Sequence, residues 1–294
     1  MSDIHNVPFF NYSGMFTSQE HSMMEVIRDV LSRGAFILQK DLVAFEAALA
    51  EFIGCRHAIG VANCTDGLQL ALLACGIAPG DEVILPSHTF VATAAAVWAC
   101  GGVPVVVDIE ADHMMDPGTI EAAITSKTRF LMPVQVNGRI ADMDPILEIA
   151  GRHGLTVVED AAQALGASYK GRQAGTFGRA AAFSFYPAKL LGCFGDGGAV
   201  ITDDDDVAAK LFALRDHGRD AKGRISQWGF NSRLDNLQAA VLAHQLTSYP
   251  AKIERRRALA ARYHAGLSDL AELTLPPPPD ADRTRFDVFQ NYEI

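Results

Sequence analysis

The sequence has few cysteines, no long apolar run and no excess of positive charge. Its five cysteines are an odd number and none belongs to a CxxC pair, so we expect neither a disulfide framework nor a metal site. Apolar runs such as residues 92–99 are too short to span a bilayer. The 35 acidic residues outnumber the 25 basic ones, and the net charge of −10 argues against a nucleic-acid-binding surface.

The compartment is predicted from the same composition. Residues 1–16 lack the basic end and apolar core that mark a secretory signal. Hydrophobic residues make up 49% of the chain and charged residues 20%, which is ordinary for a globular protein. Unpaired cysteines suit a reducing compartment. We therefore expect a cytoplasmic globular protein that binds no membrane and no nucleic acid.

Short apolar runs alternate with helical segments, which is the pattern of βαβ units with parallel strands. The predicted strands are residues 57–62, 82–85, 103–107, 129–134, 155–159, 181–185 and 199–202. The predicted helices among and before them are residues 40–52, 68–75, 93–100, 118–124 and 146–153. This order predicts an α/β fold with a seven-stranded, mostly parallel sheet between helices. Ligands of such sheets bind beyond the carboxyl ends of the strands.

The pattern changes after residue 202. Residues 206–217 and 234–262 are predicted to be helical, with an interruption near Pro250. The proline run at 276–279 predicts a stiff, extended linker. The final residues, VFQNYEI, alternate in polarity and indicate the first strand of a further domain, which we expect to be incomplete.

One candidate binding element is the segment 60–72, where a strand leads through a polar turn into an apolar helix. Free N–H groups at the start of a helix attract anions, and Thr65 adds a hydroxyl. The alternative is that Thr65 or Asp66 only caps the helix. The segment has neither a GxGxxG nor a GxxxxGK[ST] pattern, so neither a dinucleotide site nor a Walker-type site is indicated.

A second element is the carboxylate of Asp160, which follows the apolar strand at 155–159. A buried charge at this position needs a cationic partner. A protonated ring nitrogen would satisfy it, and the small residues that follow would let a flat group approach. A helix-capping role for Asp160 is the alternative.

A third element is Lys189, which lies in the apolar, aromatic segment 183–194. Desolvation lowers the pKa of a lysine, and its neutral amine is the nucleophile that attacks an aldehyde. Ser184 lies five residues earlier, where it could bind a phosphate. A lysine that reaches the surface along its apolar stem is the alternative.

The three elements together match one ligand, pyridoxal 5′-phosphate. Its phosphate requires an anion site, its pyridinium requires a carboxylate and its aldehyde requires an amine.

Five blocks in this order resemble the DegT/DnrJ/StrS-type nucleotide-sugar aminotransferases of the fold-type I pyridoxal-phosphate superfamily. They are NCTDGLQLAL (63–72), PGDEVILPSHTFVATA (79–94), VEDAAQALGA (158–167), FSFYPAKLLGCFGDGGA (183–199) and GFNSRLDNLQAA (229–240). The resemblance extends from about residue 34 to the last residue.

The resemblance implies a role for each matching residue. Lys189 would be the catalytic residue that binds the cofactor covalently and moves a proton during the transfer. Asp160 would pair with the pyridine nitrogen, and Gln163 would contact the phenolic oxygen of the ring. The other implied contacts are Thr65, Asp66 and Ser184 at the phosphate, Phe90 or, as second choice, His88 over the ring, and Asn231 reaching the phosphate site of a partner subunit.

The resemblance also implies the reaction and the domain organisation. An amino group, with glutamate as the expected donor, would be transferred to a ketone of a nucleotide-linked deoxysugar for polysaccharide or metabolite biosynthesis, by a homodimer with shared sites. The implied domains are an N-terminal arm (1–33), a cofactor-binding large domain (34–245) and the start of a small C-terminal domain (246–294). Gln135 and Asn137 depart from the HLYG-like pattern of many members, so we expect them to affect substrate contacts.

Two other functions are possible on the sequence alone. The chain could be a catalytically impaired relic or interaction subunit that keeps the fold, because family members continue beyond the equivalent of residue 294. It could also use pyridoxal phosphate on amino acids, as lyases and desulfurases of this fold do. The GFNSRLD block argues against this third function.

Overall fold

The computed structural model describes residues 7–294. The strands in this part of the chain are β1 (His57–Val61), β2 (Glu82–Pro86), β3 (Val103–Val107), β4 (Thr128–Leu131), β5 (Thr156–Asp160), β6 (Ser168–Tyr169), β7 (Arg172–Gln173), β8 (Ala180–Ser184), β9 (Gly198–Thr202) and β10 (Arg285–Phe286). The helices are α1 (Tyr12–Thr17), α2 (Glu20–Arg33), α3 (Lys40–Ile53), α4 (Cys64–Cys75), α5 (Ala92–Ala99), α6 (Pro117–Ala123), α7 (Met143–His153), α8 (Asp205–Arg215), α9 (Asn236–Leu246) and α10 (Tyr249–Leu267).

Seven strands form the main sheet in the order β1-β9-β8-β5-β4-β2-β3. Only β9 runs antiparallel to its neighbours β1 and β8, and the other pairs are parallel. The predicted seven-stranded, mostly parallel sheet is confirmed. The strand predicted at 129–134 ends earlier, at Leu131, because Pro133 has no N–H to donate to the ladder.

Helices cover both faces of the sheet, as predicted. Successive side chains of a strand point to opposite faces, so the strands supply both cores. Ile84 of β2 and Phe183 of β8 pack with α3, α6, α7 and α9 on one face. Val83 and Ala182 pack with α4, α5 and α8 on the other.

Local signals set the ends of the central helix α4. Asn63 is its N-cap, and its side chain accepts a hydrogen bond from the N–H of Asp66. Gly76 ends the helix in the left-handed conformation, with a φ of 99°. The capping alternative for Thr65 and Asp66 is therefore wrong, because Asn63 is the cap.

The ends of the chain differ most from the prediction. Helices α1 and α2 were not predicted, and residues 1–6 of the expected arm lie outside the described residues. Strand β10 pairs with β6 and β7 in a small second sheet. Residues 288–294, predicted as a strand, have no regular structure, although Val288 and Gln290 are buried. The division into three domains stays a prediction.

Within residues 7–294, no helix combines the length and the apolar character that crossing a membrane requires.

Candidate active site

A cavity of about 630 Å³ opens at the edge of the sheet where the parallel strands end. This is the place expected for a ligand of a doubly wound sheet, and the volume suits a small molecule. Six of the predicted site residues line it, namely Thr65, Phe90, Asp160, Gln163, Ser184 and Lys189. The structure thus brings together side chains from four separate blocks of the sequence.

Asp160 is the last residue of β5, and its carboxylate is buried, with 5% of the residue exposed. Its Oδ2 accepts a hydrogen bond of 2.7 Å from Thr93 Oγ1, and its Oδ1 accepts one of 3.2 Å from the N–H of Ala162. Burial raises the pKa of Asp160, although these two hydrogen bonds and the charge of Lys189 oppose the rise. A carboxylate in this setting favours a cationic ligand group.

Lys189 lies in the loop that joins β8 to β9 and faces the same cavity as Asp160. Burial lowers the pKa of its amine, while the nearby Cys64 and Asp160 oppose this change. Among the ion pairs of residues 7–294, none joins Lys189 to Asp160. The two side chains therefore face a common space without closing it.

One wall of the cavity is formed by the N-terminus of α4. Its first N–H groups have no partner within the helix. The side-chain oxygen of Asn63 accepts a hydrogen bond of 2.8 Å from the N–H of Asp66. The N–H groups of Cys64 and Thr65 are therefore left to bind a ligand. Asp66 itself is not among the lining residues. Ser184 ends β8 beside this wall, and its Oγ accepts a hydrogen bond of 3.3 Å from the N–H of Tyr186.

A glycine permits this arrangement. A Cβ on Gly198 of β9 would lie 2.6 Å from the carbonyl carbon of Asn63 and 2.7 Å from the nitrogen of Cys64. No larger residue fits there, because real Cβ contacts are not this short. Gly198 thus lets β9 and the start of α4 approach closely.

Gln163 is held by the turn at 136–138. Its Oε1 accepts a hydrogen bond of 2.6 Å from the N–H of Asn137, a residue with a left-handed φ of 58°. The acceptor end of the Gln163 side chain is therefore fixed at the wall of the cavity.

The structure distinguishes between Phe90 and His88, the two residues expected to stack on a ring. Phe90 lines the cavity and is 75% exposed. His88 is not a lining residue, and its Nε2 lies 3.5 Å from Glu293 Oε2. The geometry favours Phe90, the first choice.

His88 belongs to a cluster with His113 and Glu293, whose possible ligand atoms lie within 4.8 Å of one another. Such a donor set can hold a divalent metal. However, the carboxylate of Glu293 already accepts a hydrogen bond from the side chain of Asn137. It therefore has a protein partner and does not need an ion.

Asn231 lies outside this cavity. It is exposed in the segment before α9 and forms an isolated bridge with Asp216. The structure therefore does not bring Asn231 to the cavity of its own chain, and its expected role in a partner subunit remains a prediction.

Residues 17–294 match the family model described as the DegT/DnrJ/EryC1/StrS aminotransferase family. The chain belongs to this family. The predicted family, the α/β transferase fold and the prediction of an aminotransferase are confirmed. Pyridoxal-phosphate dependence is a property of the family, so membership implies the cofactor.

The relatives of the chain include sugar transaminases. The chain is 48% identical over 278 residues to "dTDP-3-amino-3,4,6-trideoxy-alpha-D-glucose transaminase" of Streptomyces venezuelae, which covers 94% of this chain and 73% of the relative. Among solved structures it resembles S. venezuelae DesV in complex with a ketimine intermediate, with a TM-score of 0.91, 45% identity, and coverage of 97% of this chain and 76% of the other. NtdA of Bacillus subtilis with bound cofactor PMP gives a TM-score of 0.90 at 33% identity, covering 99% and 66%.

The departure of this chain from the family pattern at Gln135 has a structural role. Gln135 is fully buried, its Nε2 donates to Glu159 Oε2 at 3.0 Å, and its Oε1 accepts from the N–H of Ala141 at 2.8 Å. Its side-chain amide is thus occupied by the protein, although Gln135 lines the cavity, and its expected effect on substrate contacts stays a prediction.

Two residues with a direct relation to the site were missed in the sequence. Thr93 holds Asp160, and Gln290 contacts the main chain on both sides of Lys189. Thr93 left a weak signal, because it is the one hydroxyl residue within the otherwise apolar α5. Gln290 left no signal in the sequence, because the residues that it contacts are about 100 positions away.

Proposed function

We propose that this chain is a pyridoxal-phosphate-dependent aminotransferase that transfers an amino group from glutamate to a keto-deoxysugar nucleotide. The observation that carries the proposal is that Asp160 and Lys189 face one cavity whose wall is the N-terminus of α4. The substrate class is supported by the relative from S. venezuelae, whose name describes a dTDP-sugar transaminase.

The residues of the cavity fit the cofactor. The buried carboxylate of Asp160 has two hydrogen-bond donors but forms no ion pair within residues 7–294, and it would hold a protonated ring nitrogen. The amine of Lys189, whose pKa is lowered by burial, is suited to covalent attachment. When bound, pyridoxal phosphate supplies an electrophilic carbon and a ring that withdraws electrons from the substrate.

The protein's own groups would then orient the cofactor and move protons during the transfer. Asp160 would keep the ring nitrogen in its protonated form, because proton loss would leave a buried charge unpaired. Nζ of Lys189 would accept a proton from a carbon of the bound substrate and return it during the transfer, which requires the neutral form of the amine. Thr93 holds the carboxylate of Asp160 in place for this purpose.

The remaining predicted residues bind and orient. Thr65, Ser184 and the free N–H groups at the turn before Asp66 would hold the phosphate. Phe90 would cover one face of the ring, with His88 as the second choice. Gln163 would donate from its amide nitrogen to the phenolic oxygen, since its oxygen is already held by Asn137.

The active form is proposed to be a homodimer in which Asn231 reaches the phosphate of the partner subunit. Two aromatic residues beside Asn231 are exposed, Trp228 at 96% and Phe230 at 39%. Exposed apolar groups of this size are typical of an interface. A cytoplasmic location is also proposed, because all five cysteines are free.

The test is spectroscopic. Purified protein is mixed with pyridoxal phosphate, and a visible absorption band is expected that added glutamate bleaches. The band should be absent in Lys189→Ala. It should persist in the control Lys252→Ala, which removes another lysine whose pKa burial lowers but which does not line the cavity.

Three outcomes contradict the proposal. A wild-type protein without a band, or a band that survives in Lys189→Ala, would rule out the cofactor assignment. A band that glutamate does not bleach would contradict the aminotransferase and support the impaired relic. A panel of keto-sugar nucleotides would then define the acceptor.

A further inference from the structure

The loop that carries Lys189 is held by three glutamine side chains. Residues 185–197 join β8 to β9 without a helix or a strand. Gln238 and Gln245 of α9 bond to main-chain groups of Phe194 and Gly192. Gln290, from the last irregular segment of the chain, bonds to the two residues that flank Lys189. The loop has few main-chain hydrogen bonds of its own, such as the one of 2.8 Å from the N–H of Lys189 to the carbonyl of Tyr186, so the glutamine contacts add to its fixed shape.

Gln290 brackets Lys189. Its Oε1 accepts a hydrogen bond of 2.7 Å from the N–H of Leu190, and its Nε2 donates one of 2.9 Å to the carbonyl of Ala188. Only 4% of Gln290 is exposed. Both ends of one buried amide are therefore used by the two residues that flank the lysine.

We propose that Gln290 is a positioning residue for Lys189, which fixes the main chain on both sides of the lysine so that its amine faces Asp160 across the cavity. This inference rests on the proposed function, in which Lys189 is the catalytic amine. Gln290 also lines the cavity, so its contact lies at the site itself.

Gln290 is itself held by a rigid anchor. The N–H of Val288 donates to the carbonyl of Gly138 at 2.9 Å, and Arg257 Nη1 donates to the carbonyl of Asp287 at 2.8 Å. Asp287 also forms an ion pair of 2.6 Å with Arg139. The segment before Gln290 is therefore tied at three points, two of them to residues 138–139 and one to α10, which lets the glutamine act as a fixed support.

The chemistry of the side chain supports positioning over simple filling of space. A buried amide is costly unless its donor and acceptor are both satisfied, and an apolar residue would fill the same volume without this cost. The amide meets one N–H and one carbonyl that are separated by the lysine alone. Its hydrogen-bonding pattern thus matches the main chain around Lys189.

The test compares two glutamines on the same loop. Gln290→Met keeps the approximate length of the side chain and removes both hydrogen bonds. Gln238→Met is the matched control, because Gln238 forms the same pair of bonds, at 2.9 and 3.0 Å, with Phe194. Both variants loosen the loop, but only the first removes support at Lys189.

The first measurement is hydrogen exchange in the protein without added cofactor. We expect the amide of Leu190 to exchange at least ~10-fold faster in Gln290→Met, since a buried hydrogen bond protects it in the wild type. In Gln238→Met the faster amide should be that of Phe194, with Leu190 unchanged. This readout does not depend on cofactor or on activity.

The second measurement is the rate at which added pyridoxal phosphate forms the visible band, recorded against pH. The rate follows the neutral fraction of the Lys189 amine. Because burial lowers the pKa of this amine, a loosened loop that admits water should move the midpoint upward, by ~0.5 pH unit or more in Gln290→Met. The midpoint should stay at the wild-type value in Gln238→Met.

The outcomes separate the two hypotheses. A wild type that forms no band contradicts the proposed function, whatever Gln290 does. A wild type that forms the band, together with a Gln290→Met variant that has wild-type exchange at Leu190 and a wild-type midpoint, overturns the positioning role. If Gln290→Met does not fold, Gln290→Asn, which keeps the amide but is one methylene too short to reach both partners, is measured in the same way with the same expected directions.

Discussion

Thr93 Oγ1 donates a hydrogen bond of 2.7 Å to Oδ2 of Asp160, although 67 residues separate the two in the sequence. Thr93 is fully buried near the start of α5, and its hydroxyl also lies 2.7 Å from that of Thr89. The pair of hydroxyls connects the segment after β2 to the carboxylate at the end of β5. The charge proposed to hold the cofactor ring is therefore oriented by a neighbouring helix.

Replacement of Thr93 by valine should weaken the binding of pyridoxal phosphate. The hydrogen bond from Thr93 lowers the pKa of Asp160, so its loss raises this pKa further. The carboxylate of Asp160 is then protonated at a higher pH in the variant than in the wild type. We expect ~10-fold weaker binding near pH 7, in line with one hydrogen bond to a charged group, and a larger deficit at lower pH. Titration with pyridoxal phosphate, followed by the visible band at several pH values, measures the affinity and its dependence on pH.

The control for this substitution is Thr202→Val. Thr202 is also buried, and its hydroxyl donates to the carbonyl of Arg179 at 2.7 Å, away from the cavity. Equal affinities and equal pH profiles in the two variants would show that Thr93 does not act through Asp160.

Replacement of Gly138 by alanine should displace the segment that carries Gln290. Gly138 has a φ of +88°, and an added Cβ would lie 2.7 Å from Val288 Cγ2 and 2.9 Å from the nitrogen of Gln290. The matched control is Gly80→Ala, because Gly80 has the same φ of +88° with nothing within 4 Å of the added Cβ.

Both alanine variants incur the backbone strain of a left-handed residue, about 1 kcal/mol or more. Only Gly138→Ala adds the clash, so its free energy of unfolding in urea should fall by a further ~1–3 kcal/mol. Its Leu190 amide should also exchange faster. Equal losses of stability in the two variants would mean that the terminal segment moves aside without cost.

The thiols of this protein should react slowly with iodoacetamide while the protein is folded. Burial raises the pKa of Cys75 and of Cys100 to about 11, and that of Cys193 to about 12. At pH 8 the reactive thiolate is then ~100-fold scarcer than for an unperturbed cysteine at Cys75 and Cys100, and ~1000-fold scarcer at Cys193. Mass spectrometry of the alkylated protein should show slow labelling in buffer and rapid labelling of all five cysteines in urea. Rapid labelling of Cys193 in buffer would contradict the burial of its loop.

The main sheet could be read from the sequence because its signals are local. Each of the seven predicted strands has an observed counterpart, since runs such as Glu82–Pro86 are apolar on both faces and end at turns. Helix α2 was missed although its apolar residues Met23, Ile27 and Val30 recur at helical spacing. Only Met23 and Val30 of its 14 residues are buried, so the helix adds little to the apolar cores.

The last residues show where a local pattern misleads. The alternation in VFQNYEI predicts a strand, but β10 is limited to Arg285–Phe286. Val288 and Gln290 are buried by contacts with Gly138 and with the loop of Lys189. Phe289 between them is buried as well, so burial here follows contacts with two distant segments and not the alternation of a strand.

The sequence by itself determined the chain order of the seven strands of the main sheet and placed Asp160 and the turn before α4 at strand ends, because apolar periodicity and capping are properties of neighbouring residues. Only the tertiary structure decided that Thr93 holds Asp160 and that Gln290 brackets Lys189. These contacts join residues about 70 to 100 positions apart, and such residues meet only after the packed sheet has brought their segments together.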